Sequence, residues 1–332
     1  MSGERRVAVC IVTHGSAADL PACLAAVGRQ RLPPAELVVV DCASRDGSLE
    51  VARRHAPASV ELKCEAATTN LGFTGGMNRA LALSHAPMVL MLNADAVLDE
   101  GFLERAVHRM LSHRELRVGA VAGRLSRPAS GGRPRLDACG MRLIPTWRHL
   151  DRGAGQVDRG QYATAERVFG ATGAASLFRR EALEDAAVDG DILLPELHTF
   201  REDAELCLRL RERGWEVLYE PSARAVHRRV NLPGRRRQMS VQINRQGVAN
   251  RFLLRAYHQG PANLLLTLLP TLWRDALVVG YVLLGERTSL GAFGWLWRHR
   301  RRILDRRRKI QARRTVARWN LDRWFFRSRD AL

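Results

Sequence analysis

The chain has 332 residues, enough for one large α/β domain with an appendage or for two modest domains. Its formal charge of +19 is unevenly spread: from Glu286 to the end there are 15 Lys/Arg against four Asp/Glu. The six cysteines (Cys10, Cys23, Cys42, Cys64, Cys139, Cys207) have no C-x-x-C spacing, which argues against a zinc knuckle or a disulfide framework and for a reducing compartment.

The opening MSGERRVAVCIVTHG holds an apolar run too short for a signal peptide, so the cytoplasm is expected. VAVCIVT (Val7–Thr13) reads as a buried strand, followed by a helix over Leu20–Gln30. A second strand, Leu37–Val40, ends at Asp41 and a Ser-Arg-Asp-Gly-Ser turn. LEVARRH is a short helix, and SVELKC is a third strand. TTNLGFTGGMNRALALS predicts a Gly-rich loop entering a helix, and PMVLMLN the next strand. Strands alternating with helices of this length imply a parallel sheet with crossover helices. Successive strands end at Thr13, at Asp41 and at Asn93/Asp95, and ligands bind beyond the carboxyl ends of such strands.

After about residue 115 the pattern changes. RVGAVAGRLSRP predicts a strand, RLDACGMRL a strand or hairpin, and RVFGATGAASLFRREALE a strand entering a helix. An amphipathic helix is expected over Asp203–Arg213, stopped by Gly214, then a strand and a short extended piece ending near His227. From about Ser240 onward the pattern is helical. Pro270, Arg274 and Asp275 divide the apolar stretch 262–284 into pieces of about ten residues, short of a membrane span. A helical pair packed on the domain, or lying in the membrane interface, is expected.

Several residue types point to chemistry. Asp41 could accept a hydrogen bond from the N3–H of a uracil or thymine, with Asp46 close by. Gly72, Gly75 and Gly76 ahead of a helix would let backbone amides approach an anion. The loop matches neither a Walker loop nor G-x-G-x-x-G, and an ordinary strand-to-helix turn is the competing reading. Asn93 and Asp95 offer hard oxygen ligands for Mg²⁺ or Mn²⁺, with His227 a further candidate ligand. Each also has a structural reading: Asp95 as a helix cap, His227 as a strand-end histidine. Glu202 and Asp203 suit a helix start, yet a carboxylate there also suits general-base chemistry.

Taken together, VAVCIVTHG, VVVDCASRDGS, NLGFTGGMNRAL, VLMLNADAVLDEGFLERAV, GATGAASLFRREALE and FREDAELCLRLRERGWEVLYEPSARAVH resemble, in order and spacing, family 2 glycosyltransferases. The likeness extends over about residues 5–255 and is strongest to rhamnosyltransferase-like enzymes of bacterial surface polysaccharide (O-antigen type) synthesis. It implies the GT-A fold: a Rossmann-like, mostly parallel sheet with flanking helices, here with a basic helical C-terminal extension. Expected bounds are 1–240 for the transferase domain, with residues 1–115 binding the nucleotide and 116–240 the acceptor, and 241–332 for a membrane-associating region.

The resemblance further implies that Thr13, Asp41 and Asp46 border the nucleotide, and that Asn70, Gly72 and Asn78 lie beside its sugar. Asn93 and Asp95 occupy the D-x-D position, and His227 that of the later metal-binding histidine. Asp203 would be the catalytic base, and Gly173-Ala174 would face the acceptor. Asn in place of the first acid leaves the metal charge to Asp95 and the diphosphate, and Glu205 replaces the last acid of E-D-x-D.

The implied reaction is an inverting transfer from a nucleotide sugar, dTDP-L-rhamnose first and a UDP-hexose second, to a lipid-linked glycan. The anionic inner face of the plasma membrane is the expected surface for the basic tail, and an oligomer stays open. The competing classes are a sugar nucleotidyltransferase and a non-enzymatic nucleic-acid-binding protein. The first lacks an early Gly-rich triphosphate signature, and the second leaves the carboxylates idle.

Overall fold

The computed structural model describes residues 3–128, 133–229 and 239–327. The first half alternates β1 (Val7–Thr13), α1 (Leu20–Gly28), β2 (Glu36–Cys42), α2 (Ser48–His55), β3 (Glu61–Ala67), α3 (Gly72–Leu83) and β4 (Met88–Asn93). Short β5 (Ala96–Leu98), α4 (Phe102–Leu111), β6 (Val118–Ser126) and β7 (Leu136–Ala138) follow. Then come β8 (Met141–Ile144), β9 (Arg148–Asp151), β10 (Glu166–Val168), β11 (Ala175–Arg179), α5 (Arg180–Ala186), α6 (Glu202–Glu212) and β12 (Glu216–His227). The chain continues as α7 (Val241–His258), α8 (Pro261–Gly285), α9 (Gly291–Arg298), α10 (Arg300–Ala312) and α11 (Trp319–Asp322).

The main sheet runs β10-β12-β6-β11-β4-β1-β2-β3, with β5 added to β12 and β7 to β6. Its β3-β2-β1-β4 half is parallel, as are β6 and β12, while β11 runs antiparallel between β4 and β6. Both faces are buried: Val7, Val9 and Ile11 enter one core, whereas Ala8 and Cys10 enter the other. Continuous apolar runs in β1, β2 and β4 follow from that two-sided burial.

Four details differ from the sequence reading. The glycine-rich segment is helix, not loop: α3 starts at Gly72, so Gly75 and Gly76 lie in its first turns. A Cβ on Gly76 would meet Val12 at 2.6 Å and Cys42 Sγ at 2.8 Å, so glycine lets α3 pack directly on the sheet. RLDACGMRL forms two strands in different sheets, since β7 pairs with β6 and β8 with β9. The strand and the extended piece before His227 are one strand, β12, irregular between Glu220 and Arg224, where Pro221 cannot join the ladder.

Lastly, residues 261–285 form one helix, α8, with Pro270 inside it. Its anchors hold both halves. Asn263 accepts from Trp147 Nε1 (2.8 Å), Thr271 Oγ1 donates to the Pro145 carbonyl (3.1 Å), and Asp275 pairs with Arg251 (3.1 Å) and Arg255 (2.6 Å). Those contacts outweigh the roughly 3 kcal/mol that an interior proline costs. Nor do the last helices stand apart: Leu254, Leu321, Trp324 and Phe325 share a core with Trp147, Phe169, Ala204 and Leu208.

Candidate active site

At the carboxyl ends of β1 and β2 the loops are laced together. Asp46 accepts from the amides of Ala17 (2.9 Å) and Ser48 (3.1 Å), and Asp41 from the amide of Ser44 (3.0 Å). The Gly15 amide donates to Ser44 Oγ (2.9 Å) and the Ser16 amide to Ser48 Oγ (2.9 Å). Thr13 Oγ1 is buried with no hydrogen-bond partner among the described residues. These bonds close the rim, and Thr13 Oγ1 is left unpaired beneath it.

The α3 side is already engaged. Asn70 Oδ1 accepts from the Gly72 amide (2.8 Å), and the Thr74 amide donates to the His198 carbonyl (3.1 Å). Two of the first-turn amides are therefore occupied, and the expected anion cradle is not open there. Gly72 has φ +68°, and a Cβ on it would strike the His198 ring at 2.4 Å. Asn78 also differs from expectation: its Nδ2 donates to the Leu193 carbonyl (2.7 Å) and its Oδ1 accepts from the Leu193 amide (2.8 Å). Its amide pins that loop instead of facing a sugar.

The strand ends of β4 and β12 bring Asp95 and His227 together. The antiparallel pairing Ala96↔His227 sets the register. His227 Nε2 lies 3.2 Å from Asp95 Oδ1 and 3.4 Å from Asn93 Nδ2. On its other side, Nδ1 is 2.7 Å from Asp137 Oδ2. Burial opposes the imidazolium, but Asp137 and Asp95 outweigh it and push the pKa up to about 9. Arg229 then joins Asp137 (3.0 Å) to Asp151 (2.7 Å). Burial pushes the Asp151 carboxyl up to about 6, against the pull of Arg229.

Fit to a divalent cation can be judged from the donors. One carboxylate and one imidazole with its far nitrogen held by a carboxylate converge, which suits Mn²⁺. A cation there would displace the His227 Nε2 proton, and Asn93 would join only with its Oδ1 in place of the Nδ2 that now faces the ring. Among the described residues no cluster of three or more His, Cys, Asp or Glu forms a cation site. A cation held here would take the rest of its shell from the diphosphate.

Asp203 is the second residue of α6, and its carboxylate accepts from the Ala204 amide (2.7 Å) and the Gly173 amide (3.3 Å). Burial raises its pKa against those two bonds, and pushes the neighbouring Glu202 up to about 8. The preceding loop is strained, with φ +54° at His198, +66° at Phe200 and +72° at Arg201. Asn250 of α7, fully buried, holds it by donating Nδ2 to the carbonyls of Leu197 (2.8 Å), Thr199 (2.9 Å) and Phe200 (2.8 Å). Glu205 is a clamp: it pairs bidentately with Arg209 (2.8 and 2.7 Å) and meets His258 of α7 at 3.3 Å.

One segment joins the two corners. Gly173 donates to Asp203, while the Ala174 carbonyl accepts from the Asn93 amide (2.8 Å). Sequence reasoning missed Asp137, Asp151, Arg229 and Asn250. For Asp137 a signal existed: an acid inside the apolar run Leu136–Cys139 is as unusual as the one that singled out Asp95.

Comparison with known proteins bears on the family and the fold. The profile described as "Glycosyltransferase like family 2" matches residues 5–247. Proteins named PGL/p-HBAD biosynthesis glycosyltransferase, from Mycobacterium bovis (BCG) and Mycobacterium tuberculosis (H37Ra), are 38% identical over 92 residues. That stretch is 28% of this chain and 36% of each relative, about a third of their length. Similar folds are seen in S. aureus TarS in complex with UDP (TM-score 0.56, 18% identity, 97% of this chain, 90% of that one). The mannosyltransferase PcManGT from Pyrobaculum calidifontis, in complex with GDP-Man and Mn²⁺, is alike (TM-score 0.54, 18% identity, 93% and 85% covered).

Proposed function

This chain belongs to glycosyltransferase family 2, and from that premise we propose that it moves a sugar from a nucleotide diphosphate donor to an acceptor hydroxyl, inverting the anomeric carbon in one displacement. The observation that carries the reading is the Gly173-Ala174 segment, which ties Asp203 and Asn93 to adjacent residues. A base and a cation corner held on one rigid segment suit in-line displacement. Asp203, its pKa raised by burial, takes the acceptor proton as the oxygen attacks. Asp95 and His227, with Asn93 alongside, would hold Mg²⁺ or Mn²⁺, which would supply positive charge against the departing diphosphate. Asp137 keeps the His227 ring oriented. Thr13 and Asp41 border the nucleotide at the strand ends, behind the rim that Asp46 stitches.

The donor we favour is dTDP-L-rhamnose, with a UDP-hexose second, and the acceptor is a lipid-linked bacterial glycan. The form of α8 supports a membrane-bound acceptor. It is the single helix among the described residues long and apolar enough to cross a membrane by length and composition. Yet Asn263, Thr267, Thr271 and Asp275 face the body of the protein, while Leu265 (76% exposed), Leu269 (78%), Leu272 and Trp273 face out. A helix bonded to its own domain by its polar stripe suits lying flat in the interface of an anionic membrane.

The test is a thermal-unfolding screen of nucleotide sugars with and without Mn²⁺, followed by a transfer assay with the best binder. A binder at 100 times its dissociation constant adds about 2.7 kcal/mol. Stabilisation by a sugar phosphate plus nucleoside triphosphate, with turnover to a nucleotide sugar, would replace this reading by a nucleotidyltransferase.

A further inference from the structure

Among the described residues, three arginines in the region of Asp203 have no hydrogen-bond or ion-pair partner. Arg148 begins β9, Arg201 lies two residues before Asp203, and Arg274 is on α8. None of their guanidiniums makes a hydrogen bond or ion pair among the described residues, and Arg201 Nη1 and Arg274 Nε are buried without one. Buried polar atoms left open in the same region include His149 Nδ1, Thr146 Oγ1 and Glu202 Oε2.

This is not a surface accident. The β8–β9 turn carrying Arg148 is locked to α8: Trp147 Nε1 donates to Asn263, and Thr271 donates to Pro145. Arg201 is presented by the strained loop that Asn250 clamps. Close by, the fold does supply an acid where it needs one, since Asp275 neutralises Arg251 and Arg255. Among the described residues it pairs none of the other three: the acid that acts on Arg201 is Asp203 itself, at no hydrogen-bond or ion-pair distance, and Asp330 lies outside the described residues. Burial, then Arg251 and Arg148, push the Arg201 pKa down to about 10, and burial followed by Arg274 lowers that of Arg148. The three charges therefore act on one another. His149 is held neutral by burial and by Arg201, its pKa pushed down to about 3.

We propose that Arg148, Arg201 and Arg274 form an anion site that receives a phosphate or diphosphate group of the acceptor, beside the base Asp203. A fixed set of unpaired guanidiniums matches phosphate oxygens in number and geometry, and phosphate removes the cost of keeping them apart from acids. Arg201 stands two residues before Asp203 and Arg274 follows the exposed Trp273 on α8, so the set fits a phosphate placed between a short sugar and an apolar tail. The acceptor phosphate thus sits close to the hydroxyl that reacts, as in a short glycan on a lipid diphosphate and unlike the end of a long polymer. This rests on the transferase reading above for the role of Asp203.

The experiment uses the full chain and the double substitution Arg148→Gln/Arg274→Gln, with Arg201→Gln as a second variant. Inorganic pyrophosphate is titrated in the presence of chelator, so the Asp95/His227 corner holds no cation, and thermal unfolding is the readout. Pyrophosphate should raise the melting temperature of the wild type, and its affinity should fall about tenfold or more in either variant. Without ligand, the variants should melt no lower than the wild type, because unpaired cations have been removed. An equal pyrophosphate response in wild type and variants overturns the site, and so does a ligand-free melting temperature several degrees lower in both. Two further arms separate the sources of phosphate. If Mn²⁺-dependent binding of UDP or dTDP falls in parallel, the arginines serve the donor; if sedimentation with phosphatidylglycerol vesicles falls instead, they hold lipid headgroups. Either result overturns the acceptor assignment. A selective loss of pyrophosphate binding in a chain that no nucleotide sugar stabilises keeps the anion site and rejects the transferase reading.

Discussion

His227 Nε2 and Asp95 Oδ1 stand 3.2 Å apart because β5 folds back onto the end of β12, and Asp137 grips the opposite ring nitrogen at 2.7 Å. Asp95→Ala or His227→Ala should therefore weaken Mn²⁺-dependent nucleotide binding, whereas Asp137→Asn should weaken it by about 10–100-fold through the loosened ring and the lost pairing with Arg229. Calorimetric titration of UDP or dTDP with and without Mn²⁺ reads this. Unchanged binding in Asp95→Ala would remove the corner from donor recognition.

Asp203→Asn is nearly isosteric and keeps one acceptor oxygen, so it retains one of the two bonds from the amides of Gly173 and Ala204, and the fold and the nucleotide affinity should persist. Transfer should drop by about 10²–10⁴ with the base gone. Single-turnover assays at saturating donor check it; a rate within about threefold of wild type would take Asp203 out of the proton transfer.

Asn250 lies across the α6 loop from α7 and touches no proposed ligand contact. Replacing it by Asp keeps the shape but removes the donor to three carbonyls. We expect a loss of about 1–3 kcal/mol in stability and a fall in kcat through a displaced Asp203. A variant with lowered melting temperature and unaltered kcat would confine Asn250 to packing.

Glu202 is pushed up to about 8 by burial and by Asp203. The folded chain then holds a proton that the unfolded chain releases above its ordinary carboxylate range. Stability contributed by this group is present at low pH and is lost as pH rises toward about 8, at up to about 1.4 kcal/mol per unit. Glu202→Gln should flatten that decline, measured by urea unfolding at pH 5, 7 and 8.5. Parallel curves for the two proteins would show that Glu202 ionises normally.

Leu265→Glu/Leu269→Glu should leave the unfolding free energy within about 0.5 kcal/mol of wild type, since both side chains face solvent. Sedimentation with anionic vesicles should fall sharply. This pair is a better probe than truncation near Gly260, because removing the later helices would strip Trp324 and Phe325 from the core shared with Trp147. Equal sedimentation of variant and wild type would free α8 from membrane contact.

Periodicity and motif order by themselves determined the parallel β3-β2-β1-β4 half and the placement of Thr13, Asp41, Asn93 and Asp95 at strand ends. These are local properties: two-sided burial writes an apolar run, and the polar residue that ends it marks the sheet edge. The second half was decided by tertiary structure. Strands β7 to β10 have three or four residues each, too short for a pattern to say which sheet they join. Asp137, Asp151 and Arg229 meet only through non-local strand register, and Arg148, Arg201 and Arg274 come from a strand, a loop and a helix far apart in sequence. The glycines of α3 read as a loop because glycine disfavours helix, whereas close packing on Val12 and Cys42 required them inside one. For α8, composition marked an apolar helix but not its orientation. Hydrogen bonds from the β8–β9 turn and ion pairs from α7 turned its sparse polar stripe inward and left the leucines outside.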